Sequence, residues 1–168
     1  RVLAHGKYIL GPEVFELEEN LKNYTGAKHC ITCANGTDAL QIALMSVGVG
    51  PGDEVITPPI TFIATQATAI ALGATVAFAD VQPDTACIDP IAVESAITPR
   101  SRAIVAVDYA GHPCDMDALR GIADAHDLLL IEDAAHSLGS TYRGRAVGSL
   151  ADVTAFSFFP TKNITTAE

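Results

Sequence analysis

The chain contains the run Leu128-Leu129-Leu130-Ile131-Glu132-Asp133. Four consecutive apolar residues predict a strand that is covered on both faces, as the central strands of parallel sheets are. A surface strand of an antiparallel sheet would instead alternate apolar and polar residues, so this run favours an α/β fold. The acidic pair that follows marks the carboxyl end of the strand, which is where α/β sheets bind their ligands.

Helix and strand patterns alternate on both sides of this run. We predict helices over residues 13–24, 35–47, 61–72, 90–97 and 116–126. We predict strands over residues 29–33, 54–57, 75–79, 103–107, 128–131 and 153–158. Strands separated by helices of about ten residues predict an α/β three-layer sandwich with a mostly parallel sheet.

Charge and composition exclude several classes of function. Ten Lys and Arg against twenty Asp and Glu give a net charge of −10, which argues against nucleic acid or an anionic membrane as a partner. Residues 55–79 carry no charge, but they include Pro58, Pro59 and Gly73 and have acidic flanks, so a strand, a helix and a strand explain them better than a membrane span. Four cysteines and the lack of a secretory leader pattern favour a reducing, cytoplasmic environment.

One candidate site is the sequence Asn35-Gly36-Thr37, between a predicted strand and a predicted helix. The glycine leaves backbone N–H groups free at the positive end of the helix dipole, which is a favourable place for an anion. We predict a phosphate site with the Thr37 hydroxyl as an additional donor, and an ordinary helix N-cap is the alternative. The chain has neither G-x-G-x-x-G nor a P-loop sequence, which argues against the common nucleotide-binding motifs.

Three further candidates follow predicted strands. Asp133 ends the most apolar strand, where a carboxylate needs a cation or strong donors unless the strand end is hydrated. His136 would project near the same ligand. Lys162 lies among aromatic and aliphatic neighbours that disfavour its ammonium form, so its amine would be available as a nucleophile toward carbonyls. Taken singly, a helix cap, a structural histidine and a surface lysine are the alternatives, and no metal site is predicted.

Four blocks of the sequence together resemble the DegT/DnrJ/EryC1/StrS family of sugar aminotransferases that depend on pyridoxal 5′-phosphate (PLP). They are residues 51–56 (PGDEVI), 61–65 (TFIAT), 131–139 (IEDAAHSLG) and 157–166 (SFFPTKNITT). The resemblance implies fold type I of the PLP enzymes. It also implies that residues 1–168 are the N-terminal part of the PLP-binding large domain, with the rest of that domain and a small C-terminal domain absent from this chain.

The resemblance implies catalytic roles for three residues. Lys162 would hold PLP as a Schiff base and later move protons between the coenzyme and the substrate. Asp133 would pair with the protonated pyridine nitrogen, which keeps the ring an electron sink. His136 would lie near the phenolic oxygen of the ring.

Further residues would bind the coenzyme without taking part in the chemistry. Phe62 would stack on the ring, and the 5′-phosphate would be held by Gly36, Thr37 and Ser157. The implied reaction transfers an amino group from glutamate, through the coenzyme, to a C3 or C4 keto group of a nucleotide-linked sugar in amino-sugar or polysaccharide biosynthesis. The family also implies a homodimer whose active sites lie at the subunit boundary.

Two alternatives within the resemblance stay open. One is a nucleotide-sugar dehydratase that depends on PLP or on pyridoxamine phosphate (PMP), although similar relatives of that kind have histidine in place of Lys162. The other is a non-catalytic relative that binds PLP or a nucleotide sugar.

Departures from the family pattern affect the expected substrate. Phe159 stands where many relatives acting on 4-keto sugars have histidine, and Asp108 replaces histidine in a block that otherwise looks like theirs. Residues 162–166 nevertheless look like those of the relatives acting on 4-keto sugars, whereas residues 8–14 look closer to relatives acting on 3-keto sugars, and Ala167 replaces a common glycine. These signals conflict, so C3 and C4 both stay open as the aminated carbon.

Overall fold

A parallel sheet of five strands forms the centre of the structure, a computed structural model that describes residues 1–166. In spatial order the strands are β2 (Thr75–Phe78), β1 (Glu54–Thr57), β3 (Ser101–Val107), β4 (Leu129–Asp133) and β7 (Val153–Ala155). All four neighbouring pairs are parallel. A separate antiparallel hairpin consists of β5 (Thr141–Tyr142) and β6 (Arg145–Ala146). The predicted α/β class with a mostly parallel sheet is therefore confirmed.

Helices cover both faces of this sheet. They are α3 (Gly36–Ser46), α4 (Ala64–Ala71), α5 (Pro90–Ala96) and α6 (Met116–Ala125), whereas α1 (Val2–His5) and α2 (Pro12–Thr25) contribute no residue to the buried clusters. One buried cluster joins α3 and α4 to the sheet through Leu44 and Ile131, and the other joins α5 and α6 to it through Leu119 and Leu130. Because neighbouring residues of a strand point to opposite faces, β4 contributes to both clusters, as its uninterrupted apolar run predicts.

The predicted strand over residues 29–33 is wrong. A strand needs a neighbour that continues its hydrogen-bond ladder, and none of the strands in residues 1–166 pairs with this segment. The segment is instead attached to α2, where the backbone N–H and the hydroxyl of Thr32 both donate to Glu18 Oε1 at 2.8 Å. The β-favouring residues of this segment predict a strand, but the described residues contain no neighbouring strand with which it could pair.

Two other predicted elements begin or end about three residues away from their predicted bounds. The helix predicted over 61–72 begins at Ala64, because its first four-residue hydrogen bond runs from Ala67 N–H to the Ile63 carbonyl. The strand predicted over 153–158 ends at Ala155. Its neighbour β4 ends at Asp133, and one further bond, from Ala134 N–H to the Ala155 carbonyl, closes the ladder.

Residues 55–79 fold as parts of β1, α4 and β2 in succession, as predicted. Among residues 1–166, no helix has both the length and the apolar character that crossing a membrane requires. Ala167, one of the noted departures, lies outside the described residues.

Candidate active site

The carboxyl ends of β1, β3, β4 and β7 lie at one edge of the sheet, and the loops that follow them contain most of the candidate residues. Asp133 is the last residue of β4, and Ser157 follows β7 by two residues. Parallel strands bring their carboxyl ends to the same edge, so this arrangement agrees with the general location of ligand sites in α/β sheets. We refer to this edge as the carboxyl edge.

Asp133 is a buried carboxylate with two protein donors. Its exposed fraction is 6%, and its Oδ2 accepts a hydrogen bond of 2.7 Å from the Thr65 hydroxyl while Oδ1 accepts one of 3.3 Å from Ala135 N–H. Burial raises the pKa of Asp133, and the Thr65 hydroxyl, the Ala135 N–H and the charges of Lys162 and His136 oppose that increase. A cationic group beside Asp133 would favour its ionised form further.

His136 and Lys162 lie close enough to Asp133 to act on it electrostatically. Partial burial lowers the pKa of His136, the Lys162 charge lowers it further, and Asp133 opposes the decrease. The loop that contains Lys162 is held to the loop after β4 because Asn163 Nδ2 donates to the Leu138 carbonyl at 3.2 Å. The three residues that the family resemblance names as catalytic are therefore brought to one place.

The first turn of α3 lies directly against the loop after β7. A Cβ atom added to Gly36 would lie only 2.9 Å from the Cβ of Ser157, so only glycine fits this approach without a shift. Asn35 caps α3 by accepting a hydrogen bond of 2.9 Å from Asp38 N–H. The N–H groups of Gly36 and Thr37 have no acceptor within the helix, because the first turn of any helix leaves such groups free. The Asn35 cap therefore leaves these two N–H groups available and does not exclude an anion site at this turn.

Phe62 lies in the segment between β1 and α4 and is 72% exposed. The next turn of the chain contains Thr65, whose bond to Asp133 holds this segment at the carboxyl edge. Phe62 is therefore largely uncovered and lies three residues before a direct partner of Asp133, which suits a stacking residue.

Sequence reasoning missed the hydroxyl groups that hold the acidic residues of this edge. Thr65 bonds to Asp133 across 68 positions of sequence, and Thr61 Oγ1 lies 2.8 Å from Thr65 Oγ1. The Ser137 hydroxyl donates to Asp108 Oδ2 at 2.6 Å, and burial raises the pKa of Asp108 to about 6. The one local signal was a pair of threonines four residues apart just after a strand, a spacing that places both on one side of a helical turn.

The donors and charges at the carboxyl edge suit an anionic aromatic cofactor better than a metal ion. Residues 1–166 contain no group of three or more His, Cys, Asp or Glu side chains placed to hold a metal. The free N–H groups at α3 could receive a phosphate, the buried carboxylate could receive a ring N–H, and the lysine amine could react with a carbonyl.

Comparison with known proteins gives matches over nearly the whole chain. Residues 1–168 match the profile of the DegT/DnrJ/EryC1/StrS aminotransferase family. The UDP-2-acetamido-2-deoxy-3-oxo-D-glucuronate aminotransferase of Pseudomonas aeruginosa is 53% identical over 162 residues, which are 96% of this chain and 45% of that protein. The chain thus spans less than half the length of this relative.

Solved structures show the same similarity. DesV from S. venezuelae superposes with a TM-score of 0.96 at 48% identity, covering 98% of this chain and 44% of that one. Spr1654 from Streptococcus pneumoniae, in its PLP form, superposes with a TM-score of 0.89 at 39% identity, covering 94% of this chain and 44% of that one.

Proposed function

Because the chain belongs to the DegT/DnrJ/EryC1/StrS aminotransferase family, we propose that it is the N-terminal part of the large domain of a PLP-dependent nucleotide-sugar aminotransferase. The match along all 168 residues and the coverage of only 45% of the Pseudomonas aeruginosa relative support this division. We refer below to the longer protein as the full-length protein.

The observation that most strongly supports the proposal is the buried Asp133 carboxylate beside Lys162 and His136. A carboxylate in this position is costly without a cation or several donors, and the Thr65 and Ala135 bonds use only part of its capacity. A protonated pyridine nitrogen would be a further, charged donor to the Asp133 carboxylate. The proposal therefore explains why a carboxylate ends the most apolar strand of the sheet.

Each site residue then has a proposed role. Asp133 would keep the ring nitrogen protonated, His136 would lie beside the phenolic oxygen, and Phe62 would cover one face of the ring. The phosphate is held by Gly36, Thr37 and Ser157, whose cradle is suggested by the 2.9 Å approach at Gly36. When bound, PLP supplies an electron-withdrawing ring that stabilises negative charge at the reacting carbon.

The Lys162 amine has two proposed roles in succession. It first attaches the coenzyme covalently, as an amine nucleophile attaches to an aldehyde. As a free amine, Lys162 would carry a proton from one reacting carbon to another, which is general acid–base catalysis. The lowered pKa of His136 favours a neutral imidazole beside Lys162, so His136 would not hold a proton that the Lys162 amine must accept.

The proposed substrates are glutamate as amino donor and a nucleotide-linked sugar with a keto group at C3 as acceptor. The name of the Pseudomonas aeruginosa relative, which contains a 3-oxo sugar, supports C3 over C4. The proposed assembly is a homodimer, and the four free cysteines suit a reducing cytoplasm.

An absorbance spectrum of the full-length protein with PLP tests the proposal. We expect a band near ~420 nm that moves toward ~330 nm when glutamate is added, as a lysine-bound coenzyme would show on accepting an amino group. Lys162→Ala should lack the first band. A first band that glutamate leaves unchanged would contradict the transaminase activity and favour the non-catalytic relative.

A further inference from the structure

Two threonine hydroxyls and the Asp133 carboxylate form a hydrogen-bonded chain at the carboxyl edge. Thr61 Oγ1 lies 2.8 Å from Thr65 Oγ1, which lies 2.7 Å from Asp133 Oδ2. Thr65 is 1% exposed, so water does not compete for its hydroxyl. The chain joins the start of α4 to the end of β4, two elements that are far apart in sequence.

The direction of these hydrogen bonds follows from the number of protons available. An ionised carboxylate can only accept, so the single hydroxyl proton of Thr65 must point to Asp133. Thr65 then offers only lone pairs to Thr61, and Thr61 must be the donor between the two. A donated hydrogen bond stabilises the negative carboxylate more than the neutral acid, so this arrangement favours the charged form, and the Thr65 hydroxyl does lower the pKa of Asp133 against the effect of burial.

We propose that Thr65 is a positioning residue that holds the ionised Asp133 carboxylate in one orientation, with Thr61 fixing the Thr65 hydroxyl. The inference rests on the proposed function, in which Asp133 pairs with a protonated ring nitrogen. A carboxylate has about four acceptor sites. Thr65 and Ala135 N–H occupy two of them, which leaves acceptor capacity for the ring.

The same backbone segment also supports Phe62. The Phe62 carbonyl accepts a hydrogen bond of 3.1 Å from Thr65 N–H, so the proposed stacking residue and the carboxylate donor belong to one turn. Thr65 therefore holds both the Asp133 carboxylate, through its hydroxyl, and the backbone of Phe62, through its N–H group.

A purely structural role for Thr65 would predict a different outcome on mutation. If the hydroxyl only attached α4 to β4, its loss would lower stability without changing the titration of Asp133. Thr68 provides a matched control, because it lies one turn further along α4, is also buried, and donates its hydroxyl to the Ala64 carbonyl at 2.9 Å rather than to a carboxylate.

The test compares wild type, Thr65→Val, Thr65→Ser and Thr68→Val in the full-length protein. The first measurement is an NMR titration of the ¹³C-labelled Asp133 carboxyl without coenzyme. We expect the Asp133 titration to move to higher pH in Thr65→Val and to return toward the wild-type value in Thr65→Ser. The second is the dissociation constant for PLP, which should rise by about tenfold in Thr65→Val, as expected for the loss of a hydrogen bond to a charged group.

The two measurements separate this inference from the proposed function. An Asp133 titration that is unchanged in Thr65→Val, or that moves equally in Thr68→Val, overturns the positioning role whether or not the protein binds PLP. Wild-type protein that does not bind PLP contradicts the proposed function, whatever the titration shows. If Thr65→Val does not fold, Thr61→Val can replace it, because Thr61 is only half-buried and its loss removes the donor to the Thr65 hydroxyl. We then expect the Asp133 titration to move to higher pH by less than in Thr65→Val. An unchanged Asp133 titration in Thr61→Val would overturn the inference.

Discussion

Gly36 is the residue at which one methyl group would change the candidate site most directly. A Cβ atom there would lie 2.9 Å from the Cβ of Ser157, closer than two carbon atoms pack. We expect Gly36→Ala in the full-length protein to lower the free energy of unfolding by about 1–3 kcal/mol, as overpacking does. It should also weaken PLP binding by separating α3 from the loop after β7.

Gly121→Ala is the matched control for this substitution. Gly121 lies within α6, and a Cβ atom added there meets nothing within 4 Å. Alanine should therefore stabilise the protein by up to about 1 kcal/mol through helix propensity, with an unchanged dissociation constant for PLP. Denaturant unfolding and equilibrium PLP titration measure the two effects. An unchanged dissociation constant for PLP in Gly36→Ala would contradict the proposed phosphate site at Gly36.

The residues that sequence reasoning identified have chemistry that can be recognised without knowing the fold. Asp133 is conspicuous as part of an acidic pair that follows four apolar residues, and Gly36 lies at the start of a predicted helix just after a predicted strand. Thr65 could not be found this way, because threonine is common in helices and its partner lies 68 positions away. Contacts between distant residues depend on the order of the strands, which no local pattern specifies.

At the scale of the element, β4 presents two acidic residues to opposite faces of the sheet. Asp133 points to the α3 and α4 side, where Thr65 binds it, while Glu132 is fully buried beside β7 and accepts a bond of 2.8 Å from the Thr154 hydroxyl. Burial, with a contribution from Asp108, raises the pKa of Glu132 from 4.5 to about 7. The second oxygen of Glu132 has no protein partner among the described residues.

The raised pKa of Glu132 predicts a loss of stability between about pH 4.5 and about pH 7. The folded state binds a proton more tightly than the unfolded state, so the free energy of unfolding falls as pH rises from about 4.5 to about 7. Glu132→Gln removes this dependence and should be more stable than wild type by roughly 3 kcal/mol at pH 9. Near pH 5 the two proteins should be similarly stable. Denaturant unfolding of the full-length protein across this range measures the difference.

Glu94→Gln is the matched control, because Glu94 lies exposed on α5. Its unfolding free energy should follow wild type at every pH. A Glu132→Gln variant that is no more stable than wild type at pH 9 would show that Glu132 is hydrated or paired in its ionised form.

Local patterns predicted most helices and strands but failed where an element depends on a partner. The central strand β4 was predicted because burial on both faces requires a continuous apolar run. Residues 29–33 have an extended, β-favouring sequence but lack a ladder partner among the described strands. Propensity describes the chain segment, whereas a strand also requires a neighbour.

At the scale of the whole molecule, uncovered apolar side chains indicate a further packing surface. Tyr8, Ile9 and Leu10 are consecutive and all largely exposed. Such a cluster is typical of an interface with another chain or domain. The proposed homodimer assigns this segment to the subunit boundary.

Light scattering on the full-length protein tests this assignment. We expect a mass of twice the chain, and Ile9→Glu should shift the equilibrium toward monomer, because a charge would be buried without a partner. Ile91→Glu, at an exposed apolar position on α5, is the control and should leave the mass unchanged. A monomeric wild type would refute the homodimer.

The attachment of PLP to Lys162 is the central claim of this account, and borohydride reduction of the full-length protein with PLP, followed by peptide mapping, tests it most directly. We predict that the reduced coenzyme is found on the peptide that contains Lys162 and is absent from Lys162→Ala. A label on any other lysine, or no label in wild type, would contradict the account.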